Sequence, residues 1–294
     1  MSDHRSGFVN IIGNPNVGKS TLMNALVGEK LCIVTAKAQT TRHRIMGIIN
    51  GEDYQIVFSD TPGILKPNYR LQQTMLDCVD EALGDADVIL YVTDTVEKAD
   101  KHTEYIDKLK DINCPVLVII NKIDLSDQKS VTDLMAWWKE KLPKAQIIPA
   151  SAQERFNMDK ILASISDLLP ECPPWYDKDT FTDRNLRFFA SEIIREQILL
   201  NYKEEIPYCC EVVVDSFKEG SERYDICATI YVMRDSQKGI LIGKQGSALK
   251  KTGTAARLEM EDFFQKKVFL QLFVKVDENW RESRKELRKF GYEN

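Results

Sequence analysis

The chain reads as an α/β domain with a mixed, mostly parallel sheet, followed by a smaller α+β domain. Three observations predict this. From residue 8 to about 170, short β-branched runs alternate with amphipathic stretches, the pattern of a parallel sheet covered by helices. One pair of runs, Ile45–Asn50 and Tyr54–Phe58, flanks the turn Gly51-Glu52-Asp53 and reads as a hairpin, so one strand is antiparallel. Pro170, Pro173 and Pro174 then break the pattern, because proline cannot continue a helix.

The division this gives is 1–170, a linker over 171–182, and a second domain over 183–294. In the first, Phe8–Ile12, Gln55–Phe58, Val88–Tyr91, Val116–Ile120 and Ile147–Ile148 read as strands buried on both faces. Ser20–Val27 and Thr103–Leu109 read as helices between them. The second domain reads α-β-β-α-α-β. Asp183 caps a helix to about Lys203, strands Cys210–Phe217 and Tyr224–Met233 follow, then a short helix near Ser236–Ile242. A longer helix to Phe264, a strand over Val268–Val276 and a charged helix over about Glu278–Phe290 complete it.

Composition excludes several classes. Forty Lys+Arg against 45 Asp+Glu give a net charge of −5, so the chain is no uniformly basic binder, although a local basic patch is compatible with it. No apolar run approaches the ~18–20 residues of a membrane span. The start, Met1–Ser6, is short and polar, unlike a signal or transit peptide. Seven cysteines form no C-x-x-C pair, and the histidines (His4, His43, His102) lie near no cysteine cluster, so zinc is not expected. The reading is a cytosolic chain with reduced thiols.

Gly13-Asn14-Pro15-Asn16-Val17-Gly18-Lys19-Ser20, followed by Thr21, stands between a strand and a helix and fits G-x-x-x-x-G-K-[ST]. Such a loop aims consecutive backbone N–H groups at phosphate oxygens. Lys19 reaches the β/γ-phosphates, and Ser20 can ligate Mg²⁺. Asp60-Thr61-Pro62-Gly63 follows a strand, placing Asp60 to hold Mg²⁺ through water and the Gly63 N–H to meet a γ-phosphate. Asn121-Lys122-Ile123-Asp124 ends the most apolar strand; there Asp124 can accept both N1–H and the exocyclic amine of guanine. Adenine offers neither proton pattern and leaves the carboxylate unpaired. After the last strand, a backbone N–H of Ser151-Ala152 can bind guanine O6.

This series, each member at a strand's C-terminal end, resembles the G1, G3, G4 and G5 motifs of P-loop GTPases. The missing switch motif is then sought in Gln39-Thr40-Thr41-Arg42, with Thr41 preferred over Thr40 as the Mg²⁺ ligand that senses GTP. Lys19, Thr41, Gly63 and Asn16 are the candidates for catalytic roles. Ile64 stands where Ras-like GTPases carry the glutamine that orients water, so slow intrinsic hydrolysis is expected. In GTPases with a similar G-x-P-N-x-G-K-[ST] loop, the residue matching Asn16 helps hold K⁺ near the β/γ bridge.

From Ser236 to Leu258 the chain carries Lys238, Lys244, Lys250, Lys251 and Arg257 with no acidic residue. At the centre lies Ile242-Gly243-Lys244-Gln245-Gly246, which resembles the G-x-x-G loop of KH domains in the type II order, a clamp for single-stranded nucleotides. Ile240, Leu241 and Ile242 can edge a platform for bases, while Leu249, Ala256, Met260 and Phe263 recur at helical spacing as packing residues. On the closing helix, Arg281, Arg284 and Arg288 form one stripe and Glu278, Glu282 and Glu286 another, with Trp280 and Leu287 facing inward.

The motif order, with Gln-Thr-Thr-Arg-His-Arg at 39–44, Thr182-Asp183-Arg184 and Ala190-Ser191-Glu192-Ile193-Ile194-Arg195-Glu196 opening the second domain, and Phe290-Gly291-Tyr292 near the end, resembles the Era-like subfamily of P-loop GTPases with a C-terminal KH domain. The resemblance implies GTP/GDP and Mg²⁺ as ligands, binding of the 3′ end of 16S rRNA, and a role in maturing the 30S subunit. It further implies a cytoplasmic monomer partly associated with the inner membrane face. The alternative is a constitutive RNA-binding assembly factor whose nucleotide is structural.

Overall fold

The computed structural model describes residues 4–97 and 103–293; His102 lies outside them, as does the start of the Met1–Ser6 segment. The chain divides into two compact units. The first comprises residues 1–32, 41–67 and 75–183, and the second 33–40, 68–74 and 184–294.

The first unit is built on six strands: β1 (Arg5–Gly13), β2 (Ile45–Asn50), β3 (Tyr54–Asp60), β4 (Val88–Asp94), β5 (Val116–Asn121) and β6 (Gln146–Pro149). Their spatial order is β2-β3-β1-β4-β5-β6. Only the β2–β3 pair is antiparallel, as the hairpin reading requires, with Asn50 opposite Gln55. The apolar runs are continuous because helices cover both faces; every residue of β4 is buried. Helices α1 (Lys19–Val27), α2 (Arg70–Gly84), α3 (Thr103–Asp111), α4 (Gln128–Lys141) and α5 (Met158–Leu168) follow strands in the chain. Strand β1 lies between β3 and β4, so connections leave it in both directions and its C-terminal end faces the crevice where such sheets bind ligands.

The stretch 171–182, expected to be a linker, is hydrogen-bonded along the first unit. Glu171 bridges to Arg5 and Thr182 to Gly47. The Ile48 N–H donates to the Phe181 carbonyl at 2.9 Å, and Met46 N–H to the Asp183 carboxylate at 3.1 Å. These bonds occupy donors on the outer edge of β2, which would otherwise stand open. Asp183 is therefore not the helix cap. That role falls to Asn185, whose side chain accepts from Phe188 N–H.

In the second unit, α6 (Leu186–Asn201), α7 (Ile206–Cys209), β7 (Glu211–Glu219), β8 (Arg223–Val232), α8 (Asp235–Ile242), α9 (Ser247–Phe264), β9 (Lys267–Val276) and α10 (Arg284–Lys289) follow one another. The sheet order is β7-β8-β9, antiparallel then parallel. Ile194 and Ile198 from α6, Leu241 from α8, and Ala256 and Met260 from α9 bury against Ile226, Ala228 and Ile230 of β8. Leu249 and Phe263 pack at the margin of this cluster. Two expectations change here. The one-turn helix α7, opened by a proline in its first turn, is an addition. The closing helix is confined to 284–289, so Arg281 belongs to no helical stripe and instead lies over the Tyr69 ring. Trp280 and Leu287 are fully buried, the Trp280 indole donating to the Cys209 carbonyl at 3.0 Å.

Candidate functional site

The first site grows from the C-terminal end of β1. Gly13 adopts φ 150° and Gly18 φ 94°; a Cβ on Gly18 would stand 2.3 Å from the Asn121 amide nitrogen, so the loop can wrap tightly only with glycine there. Gly18 also opens α1, whose N-terminus then points its free N–H groups at the loop. Lys19 is buried and its ammonium donates to the carbonyls of Gly13 and Asn14 at 3.0 and 2.8 Å. Burial pushes its pKa down to about 8, with the charges of Asp60 and Glu97 opposing the shift. A phosphate there supplies the compensating charge that burial denies.

The candidate Mg²⁺ ligands converge. Ser20 Oγ donates to Asp60 Oδ2 at 2.5 Å, and Thr41 Oγ1 lies 2.8 Å from Ser20 Oγ and 3.2 Å from Asp60 Oδ2. Asp60 is fully buried, and among the described residues no nitrogen or oxygen donor meets its second carboxylate oxygen. Burial raises its pKa, against hydrogen bonds from Ser20, Thr41 and Cys32 and the charge of Lys19. Hard oxygen donors around an under-satisfied buried carboxylate fit Mg²⁺. Of the two threonines, only Thr41 meets this cluster. Thr40 Oγ1 turns instead to Thr35 Oγ1 and the Lys37 carbonyl, at 2.7 and 2.6 Å.

Gly63 approaches the phosphate loop so closely that a Cβ would stand 2.7 Å from Pro15 Cα. Ile64 donates its N–H to the Gly13 carbonyl at 3.0 Å, while its side chain is buried in the apolar cluster with Ile12 and Tyr91. It presents nothing to a water molecule.

The base-reading end is held by one side chain. Buried Asn121 donates to the Val17 carbonyl at 2.9 Å and accepts from the Ala152 N–H at 3.0 Å, tying three separate loops together. The Ala152 N–H is thus committed to Asn121, and Ser151 Oγ accepts from Glu154 N–H at 3.1 Å. Lys122, at φ 59°, reaches across to the Asn16 carbonyl and to the Asp94 carboxylate, both at 2.5 Å. Asp124 is exposed in the 3₁₀ turn Ile123–Leu125, its carboxylate available to a ligand. Replacing Asn121 by Ala is expected to cost about 1–3 kcal/mol of stability, because it leaves a buried N–H and a buried carbonyl unpaired. Nucleotide affinity should fall with it; thermal unfolding with and without GDP checks both.

Asp94 and Glu97 were not legible as site residues. Asp94 anchors Lys122, and the Glu97 carboxylate accepts from the Asn14 side chain at 2.7 Å. The available signal was position: Asp94 ends β4, at the same edge of the sheet as the phosphate loop.

The second site lies in the second unit. Gly243 takes φ 71°, ψ 177°, a region open only to glycine, and a Cβ there would stand 2.6 Å from the Ala248 Cβ. Gln245 and Gly246 are also left-handed, and α9 starts directly afterwards. Lys244, Lys250 and Lys251 are exposed and Lys238 half-buried, whereas Arg257 is paired with Glu261 at 2.9 Å. A cleft of about 420 Å³ runs beside the loop, lined by Gly246, Leu249, Lys250, Gly253, Phe269 and Leu272 among others. Of the expected apolar edge, Ile240 is exposed, Ile242 half-buried and Leu241 fully buried in the core.

A family model described as 50S ribosome-binding GTPase matches residues 8–122, and a KH domain model matches 205–281. GTPase Era of Geobacter metallireducens is 44% identical over 297 residues, covering 99% of this chain and 100% of that one. GTPase Era of Staphylococcus haemolyticus is 43% identical, with 99% and 98% covered. A crystal structure of an Aquifex aeolicus Era variant bound to GDP and AlF₄⁻ shares 39% identity, covers 99% of this chain and 100% of that one, and has a TM-score of 0.94. An Era in complex with MgGDPNP and nucleotides 1506–1542 of 16S ribosomal RNA gives the same identity, coverage and score.

Fold and site together define a P-loop GTPase joined to a KH domain. Identity of this extent over whole chains is decisive for the family. The chain belongs to the Era GTPases, and its activity is GTP hydrolysis.

Proposed function

We propose that this chain is a GTP-dependent switch whose second unit binds the 3′ end of 16S rRNA and which assists maturation of the 30S subunit. The observation that carries the reading is the Gly243–Gly246 loop at the start of α9, flanked by exposed lysines and free of acidic residues from 236 to 258. A related Era binds RNA of that kind.

In this reading Gly13–Ser20 grips the triphosphate, Asp124 selects guanine, and Ser20, Thr41 and Asp60 hold Mg²⁺. The metal, when bound, neutralises charge on the β- and γ-phosphates. Thr41 and the loop after Gly63 are ordered by the γ-phosphate and released after hydrolysis. RNA affinity changes with nucleotide because the two states bind GTP with different affinity. With the Ile64 side chain buried among apolar residues, hydrolysis is slow unless RNA or a partner completes the site. The reading keeps Asn16, which is exposed, as a side chain that helps hold K⁺ near the β/γ bridge; equal turnover in sodium and potassium buffers removes that part. The chain acts as a cytosolic monomer. Peripheral association with the inner membrane face belongs to the same reading; no helix among the described residues is long and apolar enough to cross a membrane.

The test is a filter-binding titration of 16S 3′-end RNA with GTP, with GDP and without nucleotide, paired with single-turnover hydrolysis with and without RNA. A several-fold difference in RNA affinity between nucleotide states is expected, together with measurable turnover. Identical affinities in all three states would reduce the chain to a constitutive RNA-binding assembly factor.

A further inference from the structure

The run Gln39–Arg44 ends in a side chain that the nucleotide site does not use. Arg44 belongs to the first unit, as do Thr41 and every group named below. The pairing of β2 with β3 ends at Ile45, which stands opposite Asp60. The next residue back, Arg44, is fixed through its guanidinium instead. Nε donates to Ser59 Oγ at 2.6 Å and Nη1 to Asp85 Oδ2 at 2.6 Å. Nη2 donates to Asp85 Oδ1 at 3.0 Å and to Asn10 Oδ1 at 3.1 Å.

These partners are rigid. Asn10 and Ser59 are fully buried and stand opposite one another on β1 and β3. Asn10 Nδ2 donates in turn to Asp85 Oδ1 and to the Ala82 carbonyl near the end of α2, both at 2.6 Å. The Asp85 side chain is 53% exposed, so the ion pair is screened by solvent and contributes little stability. What the guanidinium supplies is geometry: a planar fork, bidentate on Asp85, that leaves Nε for Ser59. Ser59 is the chain neighbour of Asp60. The stretch Thr41–Arg44 is therefore a short arch on adjacent residues of β3. Its Thr41 foot stands 3.2 Å from Asp60 Oδ2 and 2.8 Å from Ser20 Oγ, and its Arg44 foot rests on Ser59.

We infer that Arg44, oriented by Asp85 and Asn10, is a positioning residue for GTP hydrolysis: it is the fixed root of this arch and brings the Thr41 hydroxyl to the Mg²⁺ cluster. The inference rests on Thr41 being the switch ligand, as proposed above. A strand end held by backbone pairing alone frays, whereas the fork sets the direction in which the chain leaves β2. Three residues further on, that direction decides where the hydroxyl arrives, and an error of about 1 Å there costs on the order of 100-fold in rate. Nucleotide exchange and hydrolysis act on the Thr41 foot; the Arg44 foot stays on the sheet through the cycle.

The test uses the full chain. Arg44→Lys keeps a positive charge beside Asp85 but lacks the planar fork. It should keep its Tm within a few degrees and its GDP affinity within about twofold, because only the triphosphate state engages Thr41. Affinity for a non-hydrolysable GTP analogue, read by calorimetry, should fall about fivefold. The single-turnover rate with saturating GTP should fall about tenfold, and the Mg²⁺ concentration for half-maximal rate should rise. In a Thr41→Ala background the replacement should have no further effect, since both act at one hydroxyl. If Arg44→Lys fails to fold, Asp85→Asn, at a half-exposed position, removes the charge that orients the fork and carries the same cycle, with a loss of about threefold in rate. Parental rate, Mg²⁺ dependence and analogue affinity in the variant that folds would overturn the inference. So would equal losses of GDP and analogue affinity, which a purely structural role produces, or losses that add to those of Thr41→Ala. If Thr41→Ala alone leaves rate and Mg²⁺ dependence unchanged, the switch-ligand reading itself fails, and that variant shows it independently of Arg44.

Discussion

Asp124→Asn is expected to exchange the purine preference of the nucleotide site. On the proposed reading the carboxylate accepts two hydrogen bonds from guanine, so its replacement removes two charge-assisted hydrogen bonds. At roughly 1.5 kcal/mol or more each, this amounts to about 100-fold or more in GTP affinity. The amide that replaces it offers a donor where xanthine presents a carbonyl, so xanthosine triphosphate should gain affinity as GTP loses it. Asp124 is exposed in its 3₁₀ turn, so the fold should be untouched and Tm without nucleotide should not move. Calorimetric titration with GTP, ATP and xanthosine triphosphate reads all of this. A variant that binds GTP as the parent does would show that specificity resides elsewhere, with Asn121 and the Ala152 loop the next place to look.

The second large effect concerns RNA. Replacing Lys244, Lys250 and Lys251 together by Gln should lower affinity for single-stranded 16S 3′-end RNA by about 100-fold at low salt. The slope of log affinity against log salt should become shallower by about 2, at roughly 0.7 for each phosphate that a lysine no longer neutralises. All three lysines are exposed, and none lies in the nucleotide-binding unit, so basal GTP hydrolysis without RNA should stay at the parental rate. Affinity and salt slope both unchanged would mean that the backbone of the RNA runs elsewhere, and the Gly243–Gly246 loop would lose its role. Weaker binding with no change in slope would point to base stacking along Phe269 and Leu272 in the adjoining cleft.

The phosphate loop was readable because everything that shapes it is contiguous: strand, glycines, lysine and helix follow within a few residues. The hairpin β2–β3 and the apolar strands were readable for the same reason, since periodicity and turn residues are local properties. Helix caps were less so. Asp183 and Asn185 are equally good capping residues by chemistry, and the choice between them was made by the outer edge of β2, whose Met46 N–H took the Asp183 carboxylate. The end of the chain misled in the same way. Glu278–Phe290 has the charge spacing of one helix, but the buried Trp280, with its indole on Cys209, lies in a run of turns before Ser283 caps the short α10.

The sequence alone determined the motifs that signal the chemistry: the glycine-lysine-serine loop at 13–20, the Asn121-Lys122-Ile123-Asp124 run and a lysine-flanked G-x-x-G loop, each encoded in a short run whose backbone geometry its own residues dictate. Only the tertiary structure decided which distant groups hold those runs in place. Lys122 on Asp94, Asn14 on Glu97, Asn121 between Val17 and Ala152, and Arg195 on the Thr40 carbonyl join residues 28 to 155 positions apart. Partners so far apart meet only once the order of strands and the packing of helices are set, and no local pattern in a chain carries that order.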